Sequence, residues 1–219
     1  MSVNANMREL PFEVVQAIMS ALPDVCSLRS MAQSSSFMYQ AFSDAENRLT
    51  SSVLSNAIGL DILPEAVAAL ESSQLEPWTR QRIQEFLSQH FRVRRAPPQR
   101  YTLSKALQIS KLYSHIDYFV ADFAHKTLVK SPTAAHRAWP SPHERVRIAR
   151  TFYRFETYCN LFRNPKRNLF TIEEQREIFF GCFSPWENEQ LACVHDYLFR
   201  AVSPGMDETF LLHEILTNI

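Results

Sequence analysis

The residues best equipped for chemistry cluster in "GCFSPWENEQLACVHDY", residues 181–197, which holds two thiols (Cys182, Cys193), an imidazole (His195) and a carboxylate (Asp196). A structural zinc site needs paired ligands about two to four residues apart on each arm. Cys193 and His195 are two residues apart in a helical pattern, about 200° around the axis, so they face apart. A nucleophilic Cys193 would need a base and an oxyanion cradle, and a glycine-poor helical segment supplies neither, so a buried inert thiol is the expectation. His90, His115, His125, His136, His143 and His213 stand singly, without the partner that acid–base work requires. Glu144, Glu173, Glu174 and Glu187 fall in expected first helical turns, where capping and the helix dipole account for them. No catalytic residue, metal centre or cofactor is expected. The rival is a small helical enzyme or cofactor binder built on Cys193 and His195.

A second constellation is basic and aromatic. Residues 137–167 carry Arg137, Arg145, Arg147, Arg150, Arg154, Arg163, Lys166 and Arg167 against Glu144 and Glu156, interleaved with Phe152, Tyr153, Phe155, Tyr158 and Phe162. Arginines hold phosphates and rings stack on bases, so a nucleic-acid face is one reading. The simpler one, preferred here, makes Arg147, Arg150 and Arg154 a solvated stripe while the rings pack inward at helical spacing. That stripe is a candidate basic partner face. Residues 173–214 are correspondingly acidic, so complementarity within the chain would also account for both.

Composition limits the partners. Lys plus Arg and Asp plus Glu number 23 each in 219 residues, so no net field draws the chain to nucleic acid or membrane. A hydrophobic share of 46% suits a folded chain with one sizeable core or two small ones. Only three glycines are present, which removes most phosphate-loop and dinucleotide-loop readings. Four irregularly spaced cysteines (Cys26, Cys159, Cys182, Cys193), no secretory leader and no apolar run near the roughly 18 residues of a membrane span together predict an intracellular chain with reduced thiols.

The elements that carry these residues read as helices throughout, since apolar residues return at three and four rather than two. In "RELPFEVVQAIMSALPDVCSLRSMA", Pro11 suits a first helical turn. Val14, Ile18 and Leu22 follow at four-residue steps with Val15 and Met19 alongside, while Glu13, Gln16 and Ser20 lie elsewhere. Pro23-Asp24 stops that helix and caps a second, with Val25, Leu28, Met31 and Ala32 on its apolar side. "SSSFMYQAF" starts a third helix. A fourth, "DAENRLTSSVLSNAIG", turns Leu49 and Val53 inward and ends at Gly59. "LPEAVAALESS" reads as a short core helix, and "PWTRQRIQEFLSQHF" is followed by a proline break at residues 96–100. Residues 102–130, with Leu103, Leu107, Leu112, Ile116, Phe119, Val120 and Phe123, suit a helix surrounded by others. Ser141 with Glu144, Thr171 with Glu174, and Ser184 with Glu187 form capping boxes that mark three later helix starts. "DETFLLHEILTNI" ends the chain as one more helical pattern.

The opening helices resemble an F-box, the helical module with which a substrate receptor docks on the Skp adaptor of a cullin-RING ubiquitin ligase. The family pattern opens Leu-Pro, has Glu two residues after the proline, then an aliphatic residue and a Leu four apart. Leu10, Pro11, Glu13, Ile18 and Leu22 fill those places, and Leu28 and Met31 continue the pattern after one inserted residue. The family carries Val-Cys and a Trp in its third helix, where this chain has Ser34, Ser35, Phe37 and Tyr39. "SVLSNAIGLDILPEAVAAL" and "FYRFETYCNLFRN" are similar to segments of F-box-like proteins of filamentous fungi. The resemblance implies an all-α protein with an F-box-like three-helix module at residues 8–45, followed by an irregular multi-helix domain over 46–219 with a sub-boundary near 96–100. It implies a ubiquitin-ligase adaptor, not an enzyme, in the cytoplasm or nucleus. Leu10, Pro11, Val14, Ile18, Leu22 and Leu28 would contact the Skp-type adaptor, later helices would hold an unknown protein target, and neither membrane nor nucleic acid is expected as a partner. Without ligase assembly the same chain would be an F-box-like helical scaffold. The alternative for the opening residues is that they face the chain's own core.

Overall fold

A computed structural model of the chain describes residues 10–92, 100–130, 139–163 and 169–202. Every regular element among the described residues is a helix, and none is a strand. The chain divides into two compact units, Met1–Leu63 with Pro97–Ser114, and Pro64–Ala96 with His115–Ile219. The first unit thus runs past the module boundary expected at residue 45. The closing pattern at 207–219, the proline loop at 131–138 and most of the break at 96–100 lie outside the described residues.

The first unit is built from α1 (Phe12–Ser20), α2 (Val25–Gln33), α3 (Ser36–Asp44) and α4 (Glu46–Ile58). Local sequence sets their starts. The Asp24 carboxylate accepts from Ser27 N at 2.8 Å, and Ser35 Oγ accepts from Met38 N at 3.2 Å, each satisfying an amide that the first turn leaves unpaired. The Ser27 amide and then its hydroxyl hold the Asp24 pKa below the ordinary carboxylate value. α1 packs on α3 and α4, and α2 on the same two helices. Val15, Met19, Val25, Leu28, Leu49, Val53 and Leu54 form a fully buried interior.

Neutral polar side chains tie these helices together. Gln16, buried on α1, donates from Nε2 to Ala41 O at 2.9 Å and to Asp44 Oδ2 at 3.2 Å, while its Oε1 accepts from Arg48. Asn56 donates to Ser20 O at 2.9 Å and Leu22 O at 3.1 Å. Residues 100–114 join through Asn47 Oδ1, which accepts from Tyr101 N, and Glu46 Oε1, which accepts from Leu103 N, both at 2.8 Å.

The second unit holds α5 (Leu63–Ser73) from Pro64, α6 (Arg80–Leu87) with a π-helical turn at Ser88–Arg92, and α7 (Leu103–Lys130) from His115. It continues with α8 (Pro142–Phe162), α9 (Ile172–Ile178), a 3₁₀ turn at Phe180–Cys182 and α10 (Pro185–Val202). The three expected capping boxes are present: Ser141 with Glu144, Thr171 with Glu174, and Ser184 with Glu187 exchange the reciprocal bonds that fix helix starts. α8 packs against α10.

The interior is aromatic: Phe86, Tyr158, Phe162, Phe170 and Phe179 are buried together with Ala68, Leu75, Ile83, Leu87, Leu161 and Leu191. Rings meet edge-on or tilted, as their quadrupoles favour, with Phe179 at 5.2 Å from Phe183 and 5.3 Å from Tyr158. The Tyr158 hydroxyl donates to Gln175 Oε1 at 2.9 Å, so its polar end is satisfied inside. A second group joins Phe119, Phe123 and Phe152 with Tyr197, whose hydroxyl donates to Asp122. Partial burial and that carboxylate push the Tyr197 pKa well above the ordinary phenol value, so it stays a phenol.

The long helix differs from the expectation of a surrounded strut. Ala106, Ile109, Ile116, Val120 and Ala124 are buried, Leu103, Leu107, Leu112, Phe119 and Phe123 are half-buried, and Tyr118 is exposed. Small residues, which a search for large apolar side chains passes over, take part of its buried line. Among the described residues no single helix is long and apolar enough to cross a membrane.

Candidate docking face and charged cluster

α1 carries two apolar stripes, and only one is used inside. Val15 and Met19 are fully buried, whereas Val14 is 42% and Ile18 is 39% exposed. Pro11 is exposed, Leu10 is half-buried, and Ala17 and Ala21 are exposed on the same helix or its end. Pro11 stands at the N-cap, and its carbonyl accepts from Val14 N and Val15 N at 3.0 and 3.2 Å. The outward side of α1 is therefore a nonpolar strip in which Glu13 supplies the charge.

Two expected members are placed differently. Leu28 has no exposed surface. It lies on the side of α2 shared with Val25 and Ala32, three and four residues away, which faces the core, so it belongs to the unit's interior and not to a docking surface. Leu22 is half-buried and lies beyond α1, which ends at Ser20 with Ala21 as its C-cap. Gln16, expected away from the apolar side, is buried; its four-residue step to Ser20 hides the fact that an amide with three hydrogen bonds can occupy a core position.

The proposed arginine stripe is not a solvated row. Arg147 is exposed, but Arg150 Nε lies 3.0 Å from Glu65 Oε1, and Arg154 bridges Glu65 Oε1 at 3.5 Å and Glu187 Oε1 at 2.7 Å. The Arg154 side chain is 12% exposed and that of Glu65 15%, so this is an interior charge cluster joining α5, α8 and α10. The Arg154 guanidinium also covers the Phe183 ring at 4.6 Å. The basic partner face is thereby corrected: two of its three arginines are occupied within the chain, by the acidic segment in the case of Glu187. The rings of α8 do pack inward, with Phe152, Tyr153, Tyr158 and Phe162 buried and Phe155 half-buried.

Opposite pressures act on the two carboxylates. Burial raises the Glu65 pKa and outweighs the lowering by Arg150 and Arg154. For Glu187, burial raises the pKa, but the Ser184 amide, the Arg154 bond and the Ser184 hydroxyl together bring it down to about 2. Glu65 was invisible as a partner in the sequence. Its signal was one carboxylate inside "LPEAVAAL", an otherwise apolar stretch.

Cys193 is exposed, correcting the expectation of a buried thiol. Partial desolvation, then Asp196 and Glu189, raise its pKa, which keeps it protonated and unreactive. His195 contacts its neighbour Asp196 at 3.4 Å and sits against the rings of Phe155 and Phe199 at 6.0 and 6.4 Å. Burial, then Glu156, lifts Cys159 to about 11. Among the described residues no group of three or more His, Cys, Asp or Glu side chains could hold a metal ion.

Other exposed apolar side chains are Tyr39 and Leu60 in the first unit, and Tyr118, Trp139, Ile172 and Trp186 in the second. No protein-family model, no curated protein sequence and no solved structure matches this chain.

Proposed function

We propose that this chain is a protein-interaction adaptor that docks through α1 on a Skp-type adaptor of a cullin-RING ubiquitin ligase, as an F-box-like substrate receptor. One observation carries the reading: α1 keeps Val14 and Ile18 in solvent although Val15 and Met19 already close the core beneath them. A helix with a second apolar stripe left outside has a use for it in association. The ordered match of Leu10, Pro11, Glu13, Ile18 and Leu22 to the F-box pattern names the partner. Leu28 is left out of the contact because it is enclosed. The later helices then have the task of holding a target protein.

The test is binding of a purified Skp-type adaptor to the full chain. Wild type is expected to bind, and Leu10→Ala with Pro11→Ala, or Val14→Asp with Ile18→Asp, to lose binding while keeping the wild-type circular dichroism and melting curve. Equal recovery by wild type and both variants, or none by wild type, counts against the reading.

A further inference from the structure

α10 begins at Pro185, and Ser184 and Glu187 exchange the bonds of its capping box, so the backbone of Trp186 is fixed although its side chain is 71% exposed. A side chain fixed at its root loses little freedom when a partner covers it, and tryptophan is a frequent anchor of protein interfaces.

The same side of α10 is acidic. Leu191 and Val194 are buried, and the opposite side exposes Trp186, Glu189 and Cys193 together with a partly exposed Asp196. Glu189 and Asp196 are seven residues apart, so they stand one above the other at about 10 Å, and Trp186 and Cys193 form the adjoining row at the same spacing. The Cys193 thiol reports this placement: desolvation first, then Asp196 and Glu189, push its pKa up. Among the described residues neither carboxylate meets a Lys or Arg; the contact of Asp196 is with its neighbour His195, whose ring lies against Phe155 of α8. Arg200, the one Lys or Arg of α10, stands a turn beyond Asp196. On the flank, Tyr197 meets the paired Asp122 and Lys126 of α7, which bring no net charge.

We propose that this outward face of α10 holds the target, and that the target offers a basic protein segment: an Arg or Lys for each of Glu189 and Asp196, and another stacked on the Trp186 ring. This rests on the reading of the later helices as the part that holds a target. A neutral or acidic segment would take water from both carboxylates and return no counter-charge, whereas a basic one pairs them and adds a cation over an indole face.

Titration of the full chain with a capped deca-arginine peptide, followed by calorimetry at low and high salt with deca-glutamate as control, tests it. The variants are Glu189→Gln with Asp196→Asn, Trp186→Ser, and Glu173→Gln with Glu177→Gln, which removes the same charge from exposed positions of α9. Wild type is expected to bind deca-arginine, more weakly as salt rises, and to ignore deca-glutamate. Loss of both α10 carboxylates should weaken binding by about tenfold. Trp186→Ser should weaken it by about threefold, and the α9 pair by less than about twofold. All variants should melt as wild type. No binding by wild type, an equal loss in the α9 pair, or binding of deca-glutamate overturns the inference. So does a lowered melting point on loss of Glu189 and Asp196, which would mean that the chain itself already pairs them. The adaptor and α1 take no part in these measurements, so the docking of α1 is judged separately.

Discussion

The two units satisfy their interior polar groups by different means. In the first, the buried amide of Gln16 bonds Ala41 O together with Asp44 and Arg48, and the exposed amide of Asn56 bonds Ser20 O and Leu22 O. In the second, Arg154 faces Glu65 and Glu187, and Arg150 faces Glu65, with little exposure at the centre of the cluster. An amide lost from a core leaves unpaired dipoles, whereas a charge lost from a cluster leaves its partner uncompensated, which is much costlier. The first unit thus keeps the ions that meet buried Gln16, Asp44 and Arg48, at its surface, while the second holds an ion cluster inside. Sequence position alone does not separate the two modes, because arginine and glutamine both occur at helical spacing among apolar residues.

The largest effect that would sharpen this contrast is expected at Arg154. Arg154→Ala removes the counter-charge of Glu187 and half that of Glu65, and should cost about 3 kcal/mol in urea unfolding. A loss below about 1 kcal/mol would show that the cluster is solvated in practice. Gln16→Ala should cost less, about 2 kcal/mol, since it orphans the Ala41 carbonyl and opens a small cavity without stranding a buried ion. Should Gln16→Ala cost more than Arg154→Ala, the comparison between the units is broken.

The smallest effect is read from pH. Glu65 has a folded pKa above its ordinary value, so the folded state holds that proton more tightly than the unfolded chain. Its contribution is full at low pH and declines as pH rises through the folded value. Stability of wild type relative to Glu65→Gln should therefore fall as pH climbs from about 4 towards neutrality. Glu187 runs the other way, because its folded value of about 2 lies below the ordinary glutamate value of 4.5. Wild type relative to Glu187→Gln should gain stability between those limits and hold the gain at neutral pH, which a pH series of unfolding curves would read directly.

Much of the fold was legible because helix starts are local. Asp24, Ser35, Ser141, Thr171 and Ser184 each cap a helix with a partner within three residues, a distance that any reading of the chain can span. The aromatic rings of α8 were also placed inward by spacing alone. The orientation of α1 was harder. Two apolar stripes, Val14 with Ile18 and Val15 with Met19, have the same periodicity, and only packing on α3 and α4 chooses between them. Leu28 carried the same ambiguity and went inside. The Glu65 cluster was illegible because its members are 85 or more positions apart along the chain for Arg150 and Arg154, and nothing local marks such a pairing.

Glu187 serves two attachments at once. One carboxylate oxygen accepts from the Ser184 amide and hydroxyl at 3.0 and 2.9 Å, and the other accepts from Arg154 at 2.7 Å. The start of α10 and its attachment to α8 are thus fastened by a single group. Fraying of that first turn and separation of the two helices become one event, so hydrogen exchange at the amides beside Pro185 would report the opening of a tertiary contact as well as the unwinding of a helix end.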